Sequence, residues 1–371
     1  LLTAFFIAGS YDVFTPLPQP TTTDFASFYA AGVLADQGRA ALAYDLPTHR
    51  AVEEHVTKPG IDYKYFLNPP FFLLICAPLA KLPYLVAFVL FELASGLLWL
   101  AVTTRIAGGG RLVMLALLAM PAVYWAAGWG QNAFLTAGLM GLGTLLLDRR
   151  PGLAGMAFGA LCIKPHFGVL LPVALLCGRH WRAFVSAGLT VCGLAALSTL
   201  IFGPDIWQAF YDMAQHARTA IESGTIKFAA HIDLGGAARL LGADAAAGWT
   251  IQAAESLAAA AIVGWMWWPR PEGAAISREA RLAALIAGTM AAMPFLLFYD
   301  LVMGSVAAAW LVAAARQGGW LPKEQRVLVL LMIIALLAFP LAGILHLAIG
   351  CLAAPLLLWS ALRRFQAGSG Q

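Results

Sequence analysis

The chain has 371 residues, of which 61% are hydrophobic and only 11% charged, with a formal net charge of +4. Soluble domains carry roughly 25% charged residues, so this composition excludes an ordinary soluble enzyme and describes a polytopic membrane protein. No Lys/Arg run or aromatic–basic interleaving points to nucleic acid. The five cysteines are odd in number and lie in apolar runs without metal-ligand spacing.

Leu1 to Gly9 form an apolar run too short for a span of roughly 20 residues. It reads as the end of a first span that is truncated in this numbering. A polar stretch follows, Thr21-Thr22-Thr23-Asp24-Phe25-Ala26-Ser27-Phe28-Tyr29. Asp24 is thus a carboxylate at the mouth of a membrane bundle, and it needs a chemical reason to be there. Residues 25–35 carry Phe25, Phe28, Tyr29, Gly32 and Val33 at helical spacing. Residues 47–57 predict a second helix with His49, Arg50, Glu53, Glu54 and His55 on polar, solvated faces. Both are expected to lie along the membrane interface. The double proline Pro69-Pro70 precludes a regular helix through that point, and residues 71–81 are too short to span.

Basic or polar breaks recur at Arg105–Arg111, Asp148–Arg150, Gly178–Arg182, Pro269–Arg281, Arg316–Arg326 and Arg363-Arg364, and they hold most of the Lys and Arg. By the positive-inside rule these short breaks belong on the cytoplasmic side. The long loops 11–69 and 204–248 then belong on the outer side. Residues 112–147, 151–178, 282–315 and 327–362 become hairpins, and single spans fall near 83–104, 183–203 and 249–268. The expected architecture is one all-α membrane domain over 1–371, with about 12 transmembrane helices.

Each hairpin midpoint carries polar groups: Trp129-Gly130 before Gln131-Asn132, Lys164-Pro165 before His166, Phe298-Tyr299 before Asp300, and Leu345 beside His346. The hairpin around Lys164 has arms of about 14 residues, or roughly 21 Å at 1.5 Å per residue, against a core of about 30 Å. Its tip should stop within the membrane, where a Lys needs a partner or a wet cavity and broken backbone needs a protein lining. Asp300 could pair with Lys164, hold a sugar hydroxyl or cap the next helix. Glu92 and Glu255 lie within expected spans, with no partner that the sequence identifies.

The ordered set Thr23-Asp24-Phe25, Phe28-Tyr29-Ala30-Ala31-Gly32, Ala43-Tyr44-Asp45, Asn68-Pro69-Pro70-Phe71, Ala77-Pro78-Leu79-Ala80, Leu82-Pro83-Tyr84, Gly130-Gln131-Asn132, Lys164-Pro165, Gly178-Arg179, Trp181-Arg182-Ala183 and Tyr299-Asp300-Leu301 resembles glycosyltransferase family 87. The likeness runs over about 21–305; Asn68 departs from it where an aromatic is expected, and His166 where Gln is common. The resemblance implies a GT-C-like, inverting enzyme of the bacterial inner membrane. It would move a sugar, best known as mannose, from a polyprenyl-phosphate donor to a glycolipid or envelope glycan on the outer face. It puts the general base at Asp24, and Lys164, then Arg239 and His231, would meet the donor phosphate. Gln131, Asn132, Tyr29, Tyr299, Asp300, His166 and Asn68 would line the sugar and acceptor pocket, with no metal and no further cofactor. A lipid or sugar transporter would also need intramembrane Lys and Asp, but no internal repeat is evident. A non-catalytic scaffold subunit would need neither Asp24 nor Lys164.

Overall fold

The computed structural model describes residues 24–61, 63–225, 227–270 and 277–368. The expected first span at Leu1–Gly9 lies outside them. Seventeen α-helices and six short 3-10 turns make up the described chain, with no strands among the described residues.

The chain opens with α1 (Asp24–Asp36), α2 (Leu46–Val56) and α3 (Pro70–Leu79). They occupy the two segments read as interfacial helices and the short apolar segment after the double proline. Asp45 starts α2 by accepting from the Thr48 backbone at 3.1 Å, an N-cap that satisfies one orphan donor. Phe25, Phe28, Phe66, Phe72 and Phe91 pack into one aromatic core between α1, α3 and the following helix α4 (Tyr84–Ile106). Gly32 makes the α1–α3 approach possible, since a Cβ there would run into the Cys76 carbonyl and the Ala80 methyl. Gly32→Ala is expected to destabilise the protein by about 1–3 kcal/mol through forced separation of the two helices, read as a lower melting temperature in detergent.

The second, larger core holds the bundle. It is built from α5 (Arg111–Leu118), α6 (Pro121–Trp129), α7 (Ala133–Leu146), α8 (Pro151–Ala160), α9 (Leu171–Cys177), α10 (Trp181–Phe202), α13 (Ala245–Trp267), α14 (Arg278–Ala292), α15 (Val302–Gly318), α16 (Glu324–Leu345) and α17 (Ala353–Gly368). Indole hydrogen bonds tie distant helices together inside it. Trp99 donates to Ser305 at 2.9 Å, Trp125 to the Ala335 carbonyl at 3.0 Å and Trp310 to Thr144 at 3.1 Å. Such bonds fix helix register where no water competes.

The expected hairpins 282–315 and 327–362 pack arm against arm, α14 on α15 and α16 on α17, and the basic breaks meet one another. Arg316 donates to the Gly108 carbonyl, Arg278 pairs with Asp148, Gln317 donates to Glu279, and Arg364 pairs with Glu324. His180 packs on Trp267, which donates to the Arg281 carbonyl. The expected count of about 12 spans is not reached by length and apolarity. Among the described residues, five helices are long and apolar enough to cross a membrane, or six if α5 and α6, bent by 56°, form one span. Elsewhere the apolar segments are broken into pieces: Pro165 splits one hairpin into Pro151–Ile163 and Pro165–Cys177, each only about 20 Å long at 1.5 Å per residue.

Two helices stand where a loop is expected. The expected loop 204–248 contains α11 (Asp205–Glu222) and α12 (Leu234–Leu240). Ile206, Met213, Ala217 and Ala220 are the buried stripe of α11, at amphipathic helical spacing. Ile206 and Met213 complete the aromatic core.

Candidate active site

The two cores meet at the ends of the hairpins opposite the basic breaks. Asp24 stands in the first turn of α1, where the helix dipole favours a carboxylate. Gln131 comes to it from the other core. Trp129 ends α6, Gly130 takes a left-handed conformation with φ 63°, and the reversal turns Gln131 towards α1. Its Nε2 donates to Asp24 Oδ2 at 2.5 Å.

Lys164 lies between two 3-10 turns, Leu161–Ile163 and Pro165–Gly168. Its Nζ donates to Asp300 Oδ1 at 2.8 Å. The ammonium also sits over the rings of Phe167 at 5.1 Å and Tyr299 at 5.3 Å, two cation–π contacts that favour its charge in this apolar setting. Asp300 is 1% exposed, and its Oδ2 accepts from the Leu297 backbone at 3.2 Å. Of the roles left open for it, ion pairing with Lys164 and closure of its own turn are what the structure contains. The two halves adjoin through Tyr299, which lies within electrostatic reach of both Asp24 and Asp300. The structure thus holds one carboxylate bonded to an amide and one cation bonded to a second carboxylate.

The position of α1 is set by a residue that the sequence reading put on a solvated face. His49 is 0% exposed, and its ring bridges the Ser27 carbonyl at 3.1 Å and the Tyr63 hydroxyl at 3.1 Å. A carbonyl only accepts, so Nε2 carries the proton, Nδ1 is the acceptor and Tyr63 donates. Ser27 is one turn from Asp24, so this clamp fixes the backbone that carries the carboxylate. The inward stripe of α2 is polar: His49, Glu53 and Thr57 are buried at intervals of four, a pattern that apolar periodicity cannot detect. His55 is exposed as expected.

Burial lowers the His49 pKa from 6.5 to about 4. The unfolded chain then binds a proton between about pH 6.5 and 4 that the folded chain does not, so stability falls as pH drops through that window. The loss is on the order of 3 kcal/mol at 1.36 kcal/mol per unit. Thermal melting at pH 7 and at pH 4.5 measures it, and His49→Asn is expected to flatten the difference.

The remaining predicted site residues divide into groups. Asn68 donates to the Ile163 carbonyl at 3.2 Å and its own carbonyl accepts from Tyr44 at 2.9 Å, so it braces the turn that presents Lys164. Tyr29 directs its hydroxyl to the Leu82 carbonyl at 2.8 Å, a tie between α1 and the start of α4. Asn132 follows Gln131 and is fully buried, with no partner for its amide among the described residues. His166 lies next to Lys164 with Nε2 buried and unpartnered among the described residues. His231 and Arg239 line a separate cavity that does not include Asp24, Lys164 or Asp300. Arg239 donates there to the carbonyls of Ala243 and Glu222 at 2.8 and 2.9 Å. Lys64 was not singled out by the sequence reading; its ammonium lies 5.2 Å from the Trp129 ring centre, beside the Gln131 turn. Among the described residues no group of three or more His, Cys, Asp or Glu is placed to hold a metal ion.

A family model for glycosyltransferase family 87 matches residues 66–299. No curated protein and no solved structure matches the chain.

Proposed function

Because the chain belongs to glycosyltransferase family 87 and is a membrane glycosyltransferase, we propose that it transfers a sugar, mannose in the leading case, from a polyprenyl-phosphate donor with Asp24 as general base. The observation that carries this reading is the Asp24–Gln131 bond beside the Lys164–Asp300 pair. An acceptor hydroxyl is a poor nucleophile until its proton is taken. Asp24 removes that proton as the oxygen attacks the anomeric carbon. The bond from that carbon to the phosphate oxygen breaks on the opposite face, and the product is inverted.

The electron pair leaves with the polyprenyl phosphate. Lys164 has three N–H donors and gives one to Asp300; another stabilises the charge that develops on the departing phosphate. Asp300 keeps the ammonium fixed, and Gln131 fixes one oxygen of the base, so neither has to reorganise during reaction. The Tyr299 ring lies against the Lys164 ammonium. The acceptor is a glycolipid or envelope glycan, and the site opens on the outer face of the bacterial cytoplasmic membrane, away from the basic breaks. Transporter and scaffold readings leave the family membership unexplained.

The test supplies purified protein in lipid bilayers with radiolabelled polyprenyl-phosphate sugars and bacterial membrane lipids. Label is expected to move to a lipid or glycan product, with the new linkage inverted relative to the donor. No transfer from any polyprenyl-phosphate sugar, alongside transfer from a nucleotide sugar, overturns the donor class.

A further inference from the structure

At the end of the bundle where the basic breaks meet, four arginines have acceptors. Arg278 pairs with Asp148, Arg364 with Glu324, and Arg316 and Arg363 donate to the carbonyls of Gly108 and Pro322. Arg149, Arg150 and Arg182 stand exposed, where water solvates them. Arg281 has neither advantage. It is half-buried, and its Nε is closed off from solvent with no acceptor among the described residues. Nearby, Arg270 gives one nitrogen to the Trp265 carbonyl at 3.3 Å, which leaves most of the five N–H donors of a guanidinium unused.

The two guanidiniums share one ring. The centre of Phe365 lies 5.8 Å from that of Arg270 and 6.0 Å from that of Arg281, and Arg270 also lies over Trp265 at 4.9 Å. The two are within electrostatic reach of one another, and like charges repel. Arg281 also stands near the start of α14, where the helix dipole disfavours a cation. The described carboxylates at this end do not offset these costs, because Asp148 and Glu324 are already paired and Glu279 accepts from Gln317. A buried donor without an acceptor, two cations on one ring and a cation against the dipole are all relieved by a single anion.

The setting selects the source of that anion. The helix α13 is long and apolar enough to cross a membrane, and Arg270 follows closely on its end at Trp267. Trp265 and Trp268 are exposed there, and exposed indoles at the end of a span mark the headgroup level. Leu257, Ala261 and Trp265 are all exposed and lie on one face of α13, an apolar stripe that leads to Arg270. Basic pockets between spans on the cytoplasmic side are a setting in which anionic headgroups bind.

We propose that Arg270 and Arg281 hold the phosphate of an anionic phospholipid, with one acyl chain along Leu257, Ala261 and Trp265. The lipid joins α13, α14 and α17 at the end of the bundle opposite Asp24. It is no substrate, and its binding does not depend on the transfer reaction.

Native mass spectrometry of the full chain released from detergent tests this, with phosphatidylglycerol and phosphatidylcholine of matched acyl chains titrated in. Wild type is expected to bind phosphatidylglycerol more tightly. Arg270→Gln and Arg281→Gln should each weaken that binding by about fivefold and leave phosphatidylcholine binding unchanged, while Arg182→Gln should leave both unchanged. Arg270 is exposed, so its variant keeps the test decisive even where Arg281→Gln does not fold. Equal affinity of wild type for the two lipids, or phosphatidylglycerol binding unchanged in Arg270→Gln, overturns the site. So does a loss in Arg182→Gln as large as in Arg270→Gln, which would mean diffuse attraction to a basic surface. Displacement of phosphatidylglycerol by millimolar inorganic phosphate would assign the pair to a soluble anion and overturn the lipid.

Discussion

Asp24→Asn is expected to lower kcat for sugar transfer by about 10²–10⁴-fold, the range that a positioned general base contributes, with donor and acceptor KM little changed. The substitution keeps the size and the hydrogen-bonding shape of the side chain. Gln131 Nε2 donates to Asp24 Oδ2 at 2.5 Å in the wild type, and the asparagine carbonyl oxygen accepts the same bond. The His49–Ser27 clamp one turn away is untouched, so α1 keeps its place. What the substitution removes from the Gln131-bonded side chain is its charge and its ability to take a proton. Radiolabel transfer, with melting temperature as the fold control, measures it. Wild-type rates in the variant would mean that the acceptor is activated by another group.

The arrangement around Asp24 was legible in the sequence because membrane insertion imposes a simple geometry on charge. The basic breaks mark one end of every hairpin, so the midpoint of each hairpin marks the other. Gln131, Lys164 and Asp300 follow from halving intervals between charges, and the structure bonds Gln131 to Asp24 and Lys164 to Asp300. The family match covers 66–299, which takes in Gln131 and Lys164 and stops short of Asp24 and Asp300. Partners were harder to read than positions. Nothing local tells that Tyr29 will turn its hydroxyl to Leu82, or that Arg239 will be tied to the carbonyls of Ala243 and Glu222. A cation in a loop reads as a ligand for phosphate until its neighbours are known. His49 shows the converse. It sits among Arg50, Glu54 and His55 and reads as solvated, yet it is buried because a carbonyl from α1 and a phenol from the next loop satisfy both nitrogens. The expected count of spans is not reached by length and apolarity for a third reason. Hydropathy marks which segments are apolar, but the bend between α5 and α6 and the turns around Lys164 and Pro165 decide whether an apolar segment crosses.

Lys164→Met is expected to abolish transfer and also to destabilise the protein by about 3–5 kcal/mol, because it leaves the buried Asp300 carboxylate without its cation. Loss of activity in that variant alone would therefore prove little. The informative variant is Lys164→Met combined with Asp300→Leu, which replaces the whole pair by apolar side chains of similar volume. Such replacements are commonly neutral or stabilising, and the surroundings here are already apolar, with Phe167 and Tyr299 against the Lys164 ammonium. The double variant should regain most of the lost melting temperature. It should not regain transfer, since the charge that develops on the leaving phosphate would have no donor opposite it. A structural pair and a working pair thus separate cleanly: the first predicts that stability and activity return together, the second that only stability returns. Recovery of both would move leaving-group stabilisation to another cation, with Lys64, beside the Gln131 turn on the Trp129 ring, as the next to be replaced.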